Sequence, residues 1–349
     1  MRSKRVLVAP LDWGLGHASR CVPVIEALLK DNHEVLLASS GQALRWLKTE
    51  FPLLKTYELP AYNPVYPQGD NMVFKMALQL PKFIAAIKAE HEVTQKIVND
   101  AGVEVVISDN RYGCYSARAK SVLMTHQANV LMPAAWKFAQ PILNRFNHAQ
   151  IKKFDACWIP APAAHLFPEL MSVPFPVTYI GFLSRFKKQE LPHQYDVMAI
   201  CTGPEPQRSI FESLVTQALK QTSLKCILVQ SKVEAQQQTY TNGNLIVFNY
   251  LNSEAMGRLM QESLVVISRS GYSTIMDLMK LNKLSVLVPT PGQTEQEYLG
   301  HILYQQKLAY CVAQKEFNFP RAWEATEQLV EFQNYFAEDN SLQNAIQNL

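Results

Sequence analysis

The chain has 349 residues, more than one hydrophobic core usually serves, so two domains are expected. Its 48% hydrophobic and 18% charged content is that of a soluble globular enzyme, and a formal net charge of +3 gives no concentrated basic field of the kind a nucleic-acid binder carries. The six cysteines form no C-x-x-C pair, which suits a reducing compartment rather than a disulfide framework. The apolar run Val6–Leu11 is too short for a signal peptide, and no stretch reaches the roughly 18–20 apolar residues of a membrane span. A cytoplasmic protein is expected.

Short apolar runs alternate with helical patterns along the whole chain. Strands are expected at Arg5–Pro10, Glu34–Ser39, Lys55–Leu59, Val103–Ser108, Ser121–His126 and Phe154–Pro160. A second set follows at Asp196–Cys201, Leu224–Gln230, Leu245–Asn249, Leu264–Ser268, Ser285–Pro289 and Leu308–Ala313. Most are continuous Val/Ile/Leu runs, as parallel strands covered on both faces require. Between them, Cys21–Lys30 puts Val22, Ile25, Leu28 and Leu29 on one helical face. The repeated β-α units predict two doubly wound α/β sheets. The boundary is placed in the proline-rich stretch Pro174–Pro192, giving domains of residues 1–180 and 181–336. A helix is expected over Arg321–Phe336, and a polar tail, 337–349, is expected to pack back on the first domain.

The first strand runs into Leu11-Asp-Trp-Gly-Leu-Gly-His-Ala-Ser-Arg20. Glycines after a first strand, Gly16 among them, let backbone approach a ligand, and the following helix points its N–H groups at the same place. His17 lies at the helix start and can act as a general base while neutral; Arg20 lies one turn further on. The G-x-G-H-x-x-R string resembles the first-domain loop of GT-B glycosyltransferases and of nucleotide-sugar hydrolases with that fold.

In the second half, strand Leu264–Ser268 ends in Ser268-Arg-Ser-Gly271 before a helix. Ser270, Ser273 and Thr274 offer hydroxyls, Gly271 offers close approach, and the helix N-terminus offers partial positive charge, a set suited to a diphosphate. Asp277, one turn in, can accept both hydroxyls of a ribose. The loop Cys201–Arg208 presents Gly203 and Arg208 at another strand end, and Arg269 supplies a further cation. Residues Val247–Gly300 as a whole resemble the second domain of glycosyltransferase family 28, with Asp277 in the place of a glutamate and Glu297 in the place of the second of two glutamines. The resemblance implies a GT-B fold of two Rossmann-like domains facing a central cleft. It implies that Asp277 binds the ribose, that Gln296 and Glu297 contact the donor sugar, and that Tyr250 and Leu251 meet the base through backbone groups.

On the other side of the reaction, strand Val103–Ser108 ends in Asp109-Asn-Arg-Tyr, and strand Ser121–His126 ends in His126-Gln127. Asp109 is a rival to His17 as base; Arg111, Tyr112, His126 and Gln127 are candidates to hold an acceptor. Segments Met72–Lys88, kinked at Pro81, and Met132–Phe154 mix aromatic and aliphatic residues with lysine and arginine, a composition that can lie on an anionic membrane surface.

The expected activity is inverting transfer of a sugar, N-acetylglucosamine as the family's usual case, from a UDP-linked donor to a saccharide or lipid-linked acceptor of the cell envelope. The protein would be cytoplasmic or peripheral at the cytoplasmic face of the membrane. No D-x-D string and no H-x-x-x-H spacing occurs among the eight histidines, so neither metal nor cofactor is expected. Two rivals stand beside this reading: a nucleotide-sugar hydrolase of the same fold, and a non-catalytic nucleotide-sugar-binding subunit.

Overall fold

The computed structural model describes residues 2–65, 72–161, 166–232, 234, 236–332 and 340–349. The chain divides into two compact units, one of Met1–Val65, Val73–Ser184 and Phe336–Leu349, the other of Tyr66–Met72 and Arg185–Tyr335.

In chain order the first unit holds β1 (Arg5–Pro10), α1 (Gly16–Lys30), β2 (Glu34–Ser39), α2 (Gly41–Glu50), β3 (Thr56–Glu58), α3 (Met72–Leu78), α4 (Leu80–Ala101), β4 (Val105–Asp109) and β5 (Lys120–Met124). It continues with α5 (Gln140–Ile151), β6 (Ala156–Ile159), α6 (Pro168–Met171) and β7 (Thr178–Tyr179). The second unit runs β8 (Tyr195–Ile200), α7 (Gln207–Lys220), β9 (Cys226–Val229), β10 (Thr239–Asn242), β11 (Leu245–Phe248), α8 (Ser253–Glu262) and β12 (Ser263–Ser268). Then come α9 (Tyr272–Leu281), β13 (Leu284–Leu287), α10 (Thr294–Gln305), β14 (Tyr310–Cys311) and α11 (Phe319–Ala325), and finally α12 (Ser341–Gln347).

Each unit is built on a seven-stranded sheet, ordered β3-β2-β1-β4-β5-β6-β7 in the first and β10-β11-β9-β8-β12-β13-β14 in the second. All pairings are parallel except β10 with β11. Central runs such as Val6–Ala9 and Val265–Ile267 are buried throughout, because helices cover both faces. In the first unit Leu7, Leu36 and Val106 pack with Ile97 and Val98 of α4. In the second, Val197, Leu228 and Ile267 pack with Phe211, Val215 and Leu219 of α7.

Several local expectations need correction. On α1, Val22, Ile25 and Leu28 are buried, but Leu29 is 38% exposed; about 100° beyond Leu28, it has turned to solvent. Pro81 does not kink one helix. The chain breaks at Gln79 between α3 and α4, and Pro81 sits in the first turn of α4, where its missing N–H is no loss. The Gln79 amide secures the break by bonding both the N–H and the carbonyl of Val65, at 2.8 and 3.0 Å.

The helix expected over Arg321–Phe336 is shorter. Asn318 caps α11 by accepting from Arg321 N, and the helix ends at Ala325 in a single 3-10 turn over Thr326–Gln328. Beyond it, Val330 N donates to Lys307 O at 2.9 Å and Phe332 N to Asn282 Oδ1 at 2.7 Å, so these N–H groups leave the helical pattern. Residues 333–336 of that expectation, and 337–339 of the expected tail, lie outside the described residues. Within the first unit α12 packs against α1 and β7, burying Ala345 and Ile346. Lys120 Nζ donates to Asn348 O at 2.6 Å, and Gln343 Nε2 to Asp31 Oδ2 at 2.5 Å.

Arg111 and Tyr112, expected at a ligand, are instead interior. The Arg111 guanidinium is fully buried and donates to Pro10 O (2.9 Å), Pro60 O (3.2 Å), Ser40 Oγ (2.7 Å) and Glu90 Oε1 (2.6 Å). It thereby ties the ends of β1, β2 and β3 to α4. Glu90 also accepts from Gly113 N at 2.8 Å and from the Tyr62 hydroxyl at 3.1 Å. The Tyr112 hydroxyl donates to Asn147 Oδ1 at 2.6 Å, and burial pushes its pKa up. Replacing Arg111 by Met strands a buried carboxylate, so Arg111→Met should lose roughly 3–5 kcal/mol of unfolding free energy in denaturant titration. A variant of wild-type stability would return Arg111 to the list of ligand contacts.

Candidate active site

Strand order reverses beside the first strand of each sheet, between β1 and β4 and between β8 and β12. At such a switch point neighbouring crossover helices pass to opposite faces, and the strand ends open a crevice where ligands bind. In register, Pro10 pairs with Asp109 in the first sheet and Ile200 with Ser268 in the second. The loops singled out in the sequence begin at these residues.

In the first unit, Leu11 N donates to Asp109 O at 2.9 Å, and the loop turns at Gly14, whose φ of +81° suits glycine. Helix α1 starts at Gly16 with no side-chain cap, which leaves His17 in its first turn. His17 Nδ1 lies 3.1 Å from Asp109 Oδ2, and the His17 side chain is 15% exposed. Asp109 itself is wholly buried. Arg20 grips both of its oxygens: Nε donates to Oδ2 at 2.7 Å and Nη2 to Oδ1. Burial would raise the Asp109 pKa, but Arg20 and then His17 outweigh it and hold the carboxyl well below the usual range. Asp109 is ionised and out of solvent, whereas the His17 side chain beside it is partly exposed. His126 is buried too, its Nδ1 accepting from Arg20 Nη1, and Gln127 presents backbone to Thr125 Oγ1 (3.0 Å) and to Asn147 Nδ2 (3.2 Å).

In the second unit the two arginines expected at a phosphate turn inward. Arg208 is buried and ion-paired with Glu205 and Glu212, so its charge is already neutralised. Arg269 lies over the Phe211 ring, 4.2 Å from its centroid, and donates to Val288 O (3.1 Å), Pro289 O (3.1 Å), Gln207 O (3.0 Å) and Gln314 Oε1 (2.6 Å). Burial lowers its pKa to about 10. Its donors hold the β13 end, the start of α7 and the segment after β14 together. Ser270 is buried, and its hydroxyl donates to Gln296 O at 2.8 Å, which removes it from the set of phosphate-facing hydroxyls. Gln296 Oε1 accepts from Thr290 N at 2.9 Å and its Nε2 donates to Gln293 Oε1, while Glu297 Oε1 accepts from Gly292 N at 3.2 Å. These amide and carboxylate groups shape the loop before α10.

The start of α9 is partly accessible. Gly271 is its N-cap, with no side-chain cap bond, whereas Asn252 caps α8. Ser273, Thr274 and Asp277 are half-buried on one side of α9. Gly203, at φ +114°, is exposed, and an added Cβ there would meet no atom within 4 Å. Tyr250 is half-buried and its N–H donates to Asn249 Oδ1 at 2.9 Å, while the Leu251 side chain is buried.

The sequence reading assigned no role to Arg20, Glu90, Glu205 or Glu212. Arg20 had a signal, one helical turn from His17, and Glu205 and Glu212 lie within a turn of Arg208; Glu90 had none, since its partner Arg111 comes from a distant strand end. Among the described residues no three His, Cys, Asp or Glu side chains gather as metal ligands, and no helix is long and apolar enough to cross a membrane.

Residues 207–348 match the glycosyltransferase family 28 C-terminal domain, and residues 5–175 match the domain described as glycosyl transferase family 1. A Sulfurihydrogenibium UDP-N-acetylglucosamine–N-acetylmuramyl-(pentapeptide) pyrophosphoryl-undecaprenol N-acetylglucosamine transferase is 25% identical over 34% of this chain and only 33% of its own length. An uncharacterized glycosyltransferase of Methanopyrus kandleri is 21% identical over 86% of this chain and 89% of its own. The crystal structure of the glycosyltransferase SnogD from Streptomyces nogalater shares the fold, with a TM-score of 0.66 at 12% identity over 99% of each chain. Both halves of the sequence and the end-to-end topology therefore agree: the chain is a glycosyltransferase of the GT-B fold that resembles family 28.

Proposed function

We propose that the chain transfers a sugar, N-acetylglucosamine in this reading, from a UDP-linked donor to a saccharide or lipid-linked acceptor of the cell envelope, inverting the anomeric carbon. The contact between His17 and the buried, ionised Asp109 carries the proposal. With Nδ1 turned to Asp109, Nε2 is free to take the proton of an acceptor hydroxyl as its oxygen bonds to the anomeric carbon. The bond from that carbon to the donor's phosphate oxygen breaks, and the nucleoside diphosphate leaves with the electron pair.

On the donor side, the uncapped N-terminus of α9 at Gly271, with Ser273 and Thr274, supplies N–H groups and hydroxyls for the diphosphate, so charge developing on it is met without a divalent ion. Asp277, one turn on, takes the ribose hydroxyls. Gly203 allows the backbone of the neighbouring loop to come close. Arg208 and Arg269 act by fixing these loops, and Gln296 and Glu297 by shaping the turn before α10.

A peripheral membrane contact fits the acceptor class. Phe138 and Ile142 are 76% and 75% exposed, Trp136 and Phe146 are also exposed, and Lys137, Arg145, Lys152 and Lys153 belong to the same stretch. Aromatic and aliphatic groups beside cations suit an anionic lipid surface.

Four outcomes are expected. In a nucleotide-release panel over UDP-, GDP- and dTDP-sugars, His17→Ala keeps donor affinity and loses about 10²–10⁴-fold in kcat. Asp277→Ala weakens donor binding about tenfold or more, as loss of hydrogen bonds to a charged group does, and EDTA leaves the wild-type rate unchanged; two variants that bind and turn over like wild type would sink the assignment. Replacing Phe138 and Ile142 together by Ser should reduce partition into phosphatidylglycerol vesicles about tenfold or more without changing kcat toward a soluble acceptor, and undiminished partition would remove the membrane contact.

A further inference from the structure

Arg208 and Arg269, the cations expected at the phosphates of a nucleotide sugar, are both interior. Another cation, Lys232, stands at the same strand ends. Ile200 of β8 is in register with Val229 of β9, so Lys232 follows β9 by as many residues as Gly203 follows β8. The Lys232 main chain is fixed on the side away from β8: its N–H donates to Asn249 O, just after β11, at 2.7 Å. Asn249 is buried and holds this connection through its side chain. Its Oδ1 accepts from Gln238 N (2.7 Å) and Tyr250 N (2.9 Å), and its Nδ2 donates to Gln236 O (2.9 Å) and Glu234 Oε2 (3.0 Å).

From there the Lys232 side chain crosses back over the strand ends to α7, the helix that follows β8, where Nζ lies 3.3 Å from Glu212 Oε2. It is near enough to act on the buried Cys201 thiol just after β8, whose pKa burial and Glu212 push up to about 12 against Arg208, Arg269 and Lys232. The charged groups of this corner are Glu205, Glu212, Glu234, Arg208, Arg269 and Lys232. Glu212 does not depend on the lysine, because its Oε2 also accepts from Arg208 Nη1 and its Oε1 from Gln230 Nε2. Glu205 is gripped by Nε and Nη2 of Arg208, and Glu234 is bound by Asn249. The Lys232 side chain is 36% exposed, so its pairing with Glu212 is partly in water and contributes little. Carboxylates and cations balance here, which leaves no net positive field to draw an anion. An anion must therefore be held by contact, and an ammonium with three donors and one carboxylate beside it can supply that contact.

β9, β8 and β12 are consecutive in the sheet, so at about 4.8 Å per strand the ends of β9 and β12 lie about 10 Å apart, on either side of β8. An anion over the end of β8 is met from one side by the start of α9 and from the other by the lysine's four-carbon stem, with the exposed Gly203 turn between them. We propose that Lys232 binds the diphosphate of the nucleotide sugar there, and that its ammonium stays on the phosphate oxygens as the bond to the anomeric carbon breaks and the electron pair passes to them. The inference rests on the reading of α9 as the nucleotide-sugar site and goes beyond it in naming the cation. Before the nucleotide arrives, Glu212 holds the ammonium in place. When Lys232 turns to the phosphates, Glu212 keeps Arg208 and Gln230, so no buried charge is stranded.

Calorimetric titration of wild type, Lys232→Met and Lys232→Arg with UDP, GDP and dTDP tests this, using whichever nucleotide the wild type binds. Lys232→Met should bind it about tenfold or more weakly, as loss of a hydrogen bond to a charged group does, while Lys232→Arg, which keeps a cation, retains most of the affinity. A lysine that serves only Glu212 predicts one affinity for all three proteins, and that result overturns the proposal. Inorganic pyrophosphate isolates the phosphate contact from base and ribose: it should displace the nucleotide from wild type, and about tenfold or more weakly from Lys232→Met. Equal displacement from both also overturns it. Thermal melting checks that the variants fold, and should Lys232→Met fail, Lys232→Gln takes its place. A wild type that binds no nucleotide brings down the nucleotide-sugar reading and this inference with it, whereas equal binding by wild type and Lys232→Met removes this inference alone.

Discussion

A buried ion pair at the end of a central strand fixes the chemistry of the first unit. Asp109 closes β4, Arg20 projects from α1, and both are withdrawn from water. Desolvating two ions costs several kcal/mol each, and only tight, fully bonded geometry offsets that penalty. The pair therefore tolerates little displacement. Because Asp109 is also in register with Pro10, the same contact sets where the β1 loop leaves the sheet and where His17 stands.

Of the buried arginines among the described residues, Arg20, Arg111 and Arg269 are each held differently. Arg20 meets a carboxylate and two imidazoles. Arg111 meets Glu90, approaches Asp12 at 3.4 Å, and also binds two carbonyls and a hydroxyl. Arg269 meets carbonyl and amide oxygens and an aromatic face, and burial lowers its pKa. All three stitch consecutive β-α connections together, which is a use for five fixed donors that a lysine could not fill. The loops at these strand ends owe their shape to cations that do not themselves reach solvent.

In the second unit the same economy leaves α9 as an accessible polar element. Ser270 binds the Gln296 carbonyl, Gln296 binds the loop before α10, Arg208 is neutralised by Glu205 and Glu212, and the N-cap of α9 is Gly271, which has no side chain to cap it. A helix start beside a glycine is a place where backbone N–H groups can meet an anion. This gives the family resemblance of the second half a physical basis in two or three backbone groups rather than in a row of charged side chains.

The sequence by itself determined the two α/β sheets. β1 and β2 lie where the apolar runs place them, and ten further strands fall within a residue or two of theirs, because burial on both faces demands an unbroken apolar segment. It also determined the switch-point loops, since glycines after a strand are a local signature. The strands it left out lack that signature: β10 is an exposed, polar edge, and β7 is two residues long among prolines. Only the tertiary structure decided which polar side chains face a ligand. Arg111, Tyr112 and Arg269 carry the right chemistry at the right place in the chain, yet each meets partners brought in by long-range pairing, while Arg208 is taken up by its neighbours Glu205 and Glu212. The same pairing brought His17 and Arg20 to Asp109. Apolar patterning is read residue by residue, whereas the direction of a charged side chain depends on where its counter-ion arrives, and that is settled by folding.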